Sequence, residues 1–183
     1  MKKNTVRRLG IAAGAITVAG ALAAVFLKTR RTIPEGIEAV SPFNPDLYLG
    51  EWYEIARFDF RFERGLDHTT ANYSRSADGS IKVVNTGRKK DGTSTQATGR
   101  AIFVGPETTA QLKVSFFGPF YAGYNVIAID EEYRYALVCG NSRDYLWILS
   151  RKKNIPETIK QQYLQQAQAL GFKTENLIWP NQL

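Results

Sequence analysis

Sulfur and imidazole are scarce in this chain of 183 residues, which holds one cysteine, Cys139, and one histidine, His68. A lone cysteine excludes an intrachain disulfide. A lone histidine excludes a histidine-rich metal site or a set of histidine catalysts. Metal-ligand spacings and a glycine-rich phosphate loop are also missing, so no metal and no cofactor is expected. Acid is absent from residues 1–31, where seven Lys and Arg side chains stand without one Asp or Glu. Residues 32–183 then carry seventeen basic and seventeen acidic side chains, so the formal net charge of +7 belongs wholly to the N-terminal segment. A neutral remainder has no overall field to draw it to phosphate backbones, and nucleic-acid binding is not expected.

Within that basic segment, Leu9 to Leu27 is a run of nineteen residues without a charge. As a helix it would be about 28 Å long, close to the hydrocarbon thickness of a bilayer. Two readings compete. One is a cleaved signal peptide with Ala21-Leu22-Ala23 as its processing site. The other is an uncleaved membrane anchor, favoured because the run continues through Val25, Phe26 and Leu27 to a basic stop at Lys28, Arg30 and Arg31. Residues 32–45, with Pro34, Gly36, Pro42 and Pro45, read as a tether, and residues 46–183 as the folded domain.

Aromatic residues are plentiful: nine Tyr, ten Phe and three Trp, enough to fill a core or line an apolar cavity. From residue 46 the pattern is of short strands separated by turns. Strands are expected at 50–57, 69–75, 81–87, 95–104, 110–117, 124–129, 135–139 and 145–150, with Asp78-Gly79 and Asp91-Gly92 as hairpin signals. Eight strands in meander order favour an antiparallel up-and-down sheet that closes into a barrel and so removes its edges; a filled sandwich is the alternative. Residues 156–170 read as a helix whose stripe of Ile155, Ile159, Tyr163, Leu164, Ala167 and Leu170 would cover the outer wall, with a short last strand at 176–179. The expected fold is therefore all-β, an eight-stranded barrel with a C-terminal helix outside and an N-terminal transmembrane or signal helix before it.

Taking Trp52 as inward, alternation turns Glu54 and Ala56 into the barrel as well. The same rule assigns Tyr73, Asn85, Phe103, Val114, Phe116, Tyr124, Val126, Ala128, Val138, Tyr145 and Trp147 to the interior. This inventory is apolar and aromatic with a few polar groups, which suits an acyl chain with a polar end. The connection from Phe58 to Leu66, with Phe58, Phe60 and Phe62 alternating with charges, reads as a lid over the barrel mouth, its Arg61 or Arg64 meeting an anionic headgroup.

Gly50-Glu51-Trp52-Tyr53 on the first strand and Leu149-Ser150-Arg151 after the eighth match, in order, the G-x-W and arginine motifs of the lipocalins. The chain is identified as a member of that family. Runs 52–57, 112–120 and 144–151 are similar to its bacterial, apolipoprotein D-like branch. The Thr-Asp-Tyr motif is degenerate, with Ile129 before Asp130 and a longer turn to Tyr135. The resemblance implies barrel closure by Gly50, Trp52 and Arg151, the guanidinium lying over the indole, and a fatty acid or lysophospholipid as ligand, stored or carried without catalysis. It also implies an outer-membrane lipoprotein. No cysteine follows the apolar run to accept a lipid, so the N-terminal helix is expected to hold the barrel to the membrane, on the periplasmic side. An uncleaved helix would place it in the inner membrane. A lipocalin-fold enzyme acting on a lipid and a structural envelope protein are the rival readings. The oligomeric state stays open, a homodimer included.

Overall fold

The computed structural model describes residues 31–59 and 65–182. The expected membrane helix and the lid residues Phe60, Arg61, Phe62, Glu63 and Arg64 lie outside them. Among the described residues no helix is long and apolar enough to cross a membrane.

Thr32–Leu183 forms one compact unit. Its strands are β1 (Gly50–Phe58), β2 (Leu66–Arg75), β3 (Ile81–Lys89), β4 (Ser94–Phe103), β5 (Gln111–Phe117), β6 (Phe120–Ile129), β7 (Tyr135–Cys139) and β8 (Leu146–Ser150). Each pairs antiparallel with the next, and β1 pairs with both β2 and β8, so the sheet closes into a barrel. The Asp-Gly turns behave as their sequence requires: Gly79 and Gly92 have φ of 81° and 86°, and the Asp78 and Asp91 carboxylates accept from the backbone N–H of Ser80 and Thr93.

Two layers of apolar packing share the barrel wall. Helix α2 (Glu157–Ala169) lies outside and buries Tyr163 and Ala167 against Ile148, Leu137 and Ile127. Its ends follow the local chemistry. Pro156 stands at the N-cap, Glu157 occupies the first turn, and Gly171 just past the end has φ of 82°. The Tyr163 hydroxyl donates to the Tyr135 carbonyl at 2.9 Å and pins the helix to β7. The inner layer gathers Trp52, Tyr73, Val83, Leu112, Val126 and Leu149.

Residues 32–45 are not a free tether. Ile37 and Phe43 are buried, Val40 exchanges backbone hydrogen bonds with Val126 and Ala110, and Phe43 N–H donates to the Thr108 carbonyl. Prolines in this segment remove donors without preventing packing, and its apolar residues find places on the barrel. Gly123 on β6 admits the start of this segment: a Cβ there would lie 1.9 Å from the Thr32 carbonyl oxygen.

The end of the chain fills a seam. β1 pairs with β2 only over Gly50–Tyr53. Farther along, the short strand β9 (Leu177–Ile178) pairs with Arg57 and Phe58. Beyond it the buried Gln182 amide donates to the carbonyls of Glu54 and Thr69 at 2.7 and 3.0 Å. One side chain thus bridges the two strands where their own ladder stops.

Candidate functional site

The barrel encloses a cavity of about 950 Å³. One end is closed. There the Asn44 side chain caps the short helix α1 (Pro45–Tyr48) by accepting from Asp46 N–H. α1 seats Tyr48 against Trp52, ring centroids 4.9 Å apart. The Arg151 guanidinium lies 3.9 Å above the Trp52 ring and donates to the carbonyls of Leu47, Leu49, Glu51 and Tyr133. Gly50, at φ of 93°, would place a Cβ 3.4 Å from that guanidinium, so glycine both makes the turn and leaves room for the arginine. Gly50, Trp52 and Arg151 therefore meet at this closed end. Burial lowers the Arg151 pKa from its ordinary value, but a guanidinium remains charged at physiological pH.

Above this plug stands a chain of three phenols. The Tyr48 and Tyr124 hydroxyls are 2.6 Å apart, and those of Tyr73 and Tyr124 are 2.7 Å apart. Burial pushes the pKa of Tyr48 and of Tyr124 well above the ordinary phenol value, so both stay neutral and share protons along the chain. Higher up, the walls are apolar: Ile81, Val83, Ala101, Phe103, Leu112, Val114, Phe116 and Leu149. Polar groups gather toward the open end, where Lys89, Gln96 and Asn141 line the cavity close to the turns. On the wall, Asn85 has a buried carbonyl oxygen with no hydrogen-bond partner.

Of the residues assigned inward from the sequence, Glu54, Tyr73, Asn85, Phe103, Val114, Phe116, Tyr124, Tyr145 and Trp147 line this cavity. Val126 and Val138 face the same side but are fully buried in the inner core and do not line the cavity. Phe60 lies outside the described residues. Three assignments are corrected, all for one reason. In β1 the register shifts between Glu54 and Ala56, so the extra residue inverts the alternation beyond it. Ala56 and Phe58 consequently join the outer core, Phe58 packing on Phe172 with centroids 6.4 Å apart. In β6 a second shift between Val126 and Ala128 turns Ala128 outward against the same core.

The first shift has a further effect that alternation did not foresee. It brings Arg57 level with Trp147 of β8, on the inner side, where it is almost completely buried and paired with the Glu54 carboxylate. Glu54 also accepts from the Thr69 hydroxyl at 2.9 Å, and Arg57 donates to the Leu66 carbonyl at 3.0 Å. With Gln182 this makes a polar seam between β1 and β2. Phe43, Tyr48 and Gln182 were likewise missed. Asn44-Pro45 is a helix-start signal that could have announced α1, but nothing in the sequence marks Gln182.

Cys139 is fully buried in the outer core, and burial pushes its thiol pKa up to about 12. It therefore has almost no thiolate at neutral pH. Asp130, from the degenerate motif, caps its turn by accepting from the backbone N–H of Arg134 and Tyr135 at 2.6 and 2.7 Å. The residue before it, Ile129, packs on the inner core.

Comparison with known proteins agrees with this architecture. A lipocalin-like domain family matches residues 44–182. The outer membrane lipoprotein Blc of Citrobacter freundii is 54% identical over 171 residues, covering 91% of this chain and 97% of that protein. Apolipoprotein D of Macaca fascicularis is 40% identical over 126 residues, covering 64% and 66%. Among solved structures, insecticyanin of the tobacco hornworm Manduca sexta superposes with a TM-score of 0.66 at 20% identity, covering 82% of this chain and 86% of that one, which speaks for the fold alone. The chain belongs to the lipocalin family, in its bacterial, apolipoprotein D-like branch.

Proposed function

We propose that the chain binds a single-chain lipid, a fatty acid or a lysophospholipid, and stores or carries it at the bacterial cell envelope. The observation that carries this reading is the cavity of about 950 Å³, apolar and aromatic in its depth, with Lys89, Gln96 and Asn141 joining the aromatic rings toward its mouth. Such a gradient suits an acyl chain inserted tail first with its headgroup at the opening. The volume lies near the upper end of small-molecule sites, about 300–1,000 Å³, so an extended or folded acyl chain is accommodated. Asn85 adds one amide to the otherwise apolar wall. Binding without turnover is supported by the inert thiol of Cys139 and by the Glu54–Arg57 pair, in which the carboxylate is held by its own neighbours.

Membrane association is proposed through residues 9–27, with the barrel on the periplasmic side. Relatives are named as outer membrane lipoproteins, which supports action at the cell envelope. The absence of a cysteine near the apolar run favours a helix in place of a lipid.

The test is ligand binding to delipidated protein in mild detergent. Calorimetry and displacement of a fluorescent fatty acid should both report binding, with Asn85→Leu weakening lysophospholipid and fatty acid to different extents. Absence of binding by both methods would refute the assignment. Lipid recovered by native mass spectrometry from freshly purified protein would name the class.

A further inference from the structure

Two features meet at the open end of the barrel that ligand binding alone does not require. The first is the β5–β6 hairpin. Its tip exposes Phe117 at 69% and Phe120 at 78%, beside a half-exposed Tyr121, and these three residues also border the cavity. Large aromatic rings at such exposure mark a contact surface more often than a solvated turn. On the same rim, the end of β3 and the β3–β4 turn carry Arg88, Lys89 and Lys90 in succession, three positive charges of which the neighbouring Asp91 offsets one. Exposed aromatics beside a basic cluster are the composition that an anionic bilayer surface attracts.

The second feature is where the chain enters. Thr32 sits against Gly123 beside Asn141, and the Glu35 carbonyl accepts from Arg143; Asn141 and Arg143 belong to the β7–β8 turn at the open end. From there the segment runs toward the closed end, reaching it at Phe43. The path from Thr32 to Phe43 therefore begins at the mouth of the barrel.

We infer that the barrel docks mouth-down on an anionic lipid bilayer, Phe117 and Phe120 entering the interfacial layer and Arg88–Lys90 meeting the headgroups, so that lipid passes between membrane and cavity without crossing water. The inference rests on the rim and on the proposed lipid ligand, and not on retention of the N-terminal helix.

The experiment uses the full chain in vesicles of equal parts phosphatidylglycerol and phosphatidylethanolamine. An environment-sensitive fluorophore is attached at Phe120→Cys or, at the closed end, at Val104→Cys; the buried Cys139 does not compete for label. The label at 120 should shift to the blue, be quenched by doxyl-lipid and be shielded from aqueous iodide, while the label at 104 remains in water. Arg88→Glu with Lys90→Glu should reduce the lipid contact at 120 several-fold, as should replacing phosphatidylglycerol by phosphatidylcholine. Equal iodide quenching at 120 and 104 would overturn the inference, as would shielding at 120 that appears without vesicles and grows with protein concentration, since a second copy would then cover the hairpin. An unchanged contact in the charge-reversed variant would remove the electrostatic part. A salt wash separates this outcome from the fate of the anchor: protein that washes off yet shows lipid contact at 120 before the wash keeps the docking and loses the helix. Fatty-acid displacement in detergent reads the cavity independently of both.

Discussion

The guanidinium of Arg151 lies 3.9 Å above the ring of Trp52 and donates to four backbone carbonyls around it. Stack and hydrogen bonds together tie the start of β1 to α1 and to the turn after β6, so the plug of the barrel is assembled by one side chain. Arg151→Ala should destabilise the protein by about 1–3 kcal/mol while changing ligand affinity less. Arg151→Lys should recover little of this, because an ammonium has no planar fork to reach those carbonyls. Thermal melts with and without ligand check both statements; an unchanged melting temperature with lost binding would make Arg151 a ligand contact instead.

The buried phenols give a pH dependence of defined sign. Tyr48 and Tyr124 have folded-state pKa values raised by burial, while in the unfolded chain they ionise near the ordinary value of about 10. Their contribution is thus complete below pH 10. As pH rises above 10 only the unfolded chain loses these protons, and stability falls until the folded pKa is reached. The slope is about 1.4 kcal/mol per pH unit for each residue. Tyr48→Phe with Tyr124→Phe should flatten the loss of stability above pH 10, measured as urea midpoints. An unaltered slope would mean that these hydroxyls ionise as readily in the folded protein.

Gln182 bridges the carbonyls of Glu54 and Thr69 where β1 and β2 no longer pair. Gln182→Ala removes the donor and leaves two buried acceptors short of a partner, a cost of about 1–3 kcal/mol. Amide exchange should rise along β1 beyond Tyr53 and in β2 before Thr70, and not at the Trp52 end. Uniform acceleration over all strands would show that the seam is no local unit.

Retention of the N-terminal segment predicts behaviour in the native membrane. The full chain should stay with membranes through a high-salt wash, since insertion of an apolar run depends on burial and not on screened charge. N-terminal sequencing of the mature protein should read through residues 9–27. A mature chain beginning near Ala24 would make the segment a cleaved signal.

Much of the fold could be read in the chain because the signals were local. The Asp-Gly turns, alternation along β5, and the helix stripe from Ile155 to Leu170 each need only a few neighbouring residues to act, and the outer core uses that whole stripe. The site was legible wherever alternation ran unbroken, as in β3 and β4. It failed at Ala56, Phe58 and Ala128, where an inserted residue reverses the faces. It also failed over residues 32–45, where prolines resemble a linker and the buried places for Ile37 and Phe43 are supplied by distant strands.

The sequence by itself determined the order of strands, the helix that covers them and the neutral charge of residues 32–183, because periodicity and turn chemistry are properties of the chain; the pairing of Trp52 with Arg151 came from the family resemblance. Tertiary structure alone decided that Arg57 faces inward and is neutralised by Glu54, that three tyrosines share one hydrogen-bonded chain, that Gln182 closes a seam, and that the chain enters beside the mouth. Each of these depends on register between strands far apart in sequence, and a bulge of one residue in β1 or β6 is enough to change which face a side chain occupies.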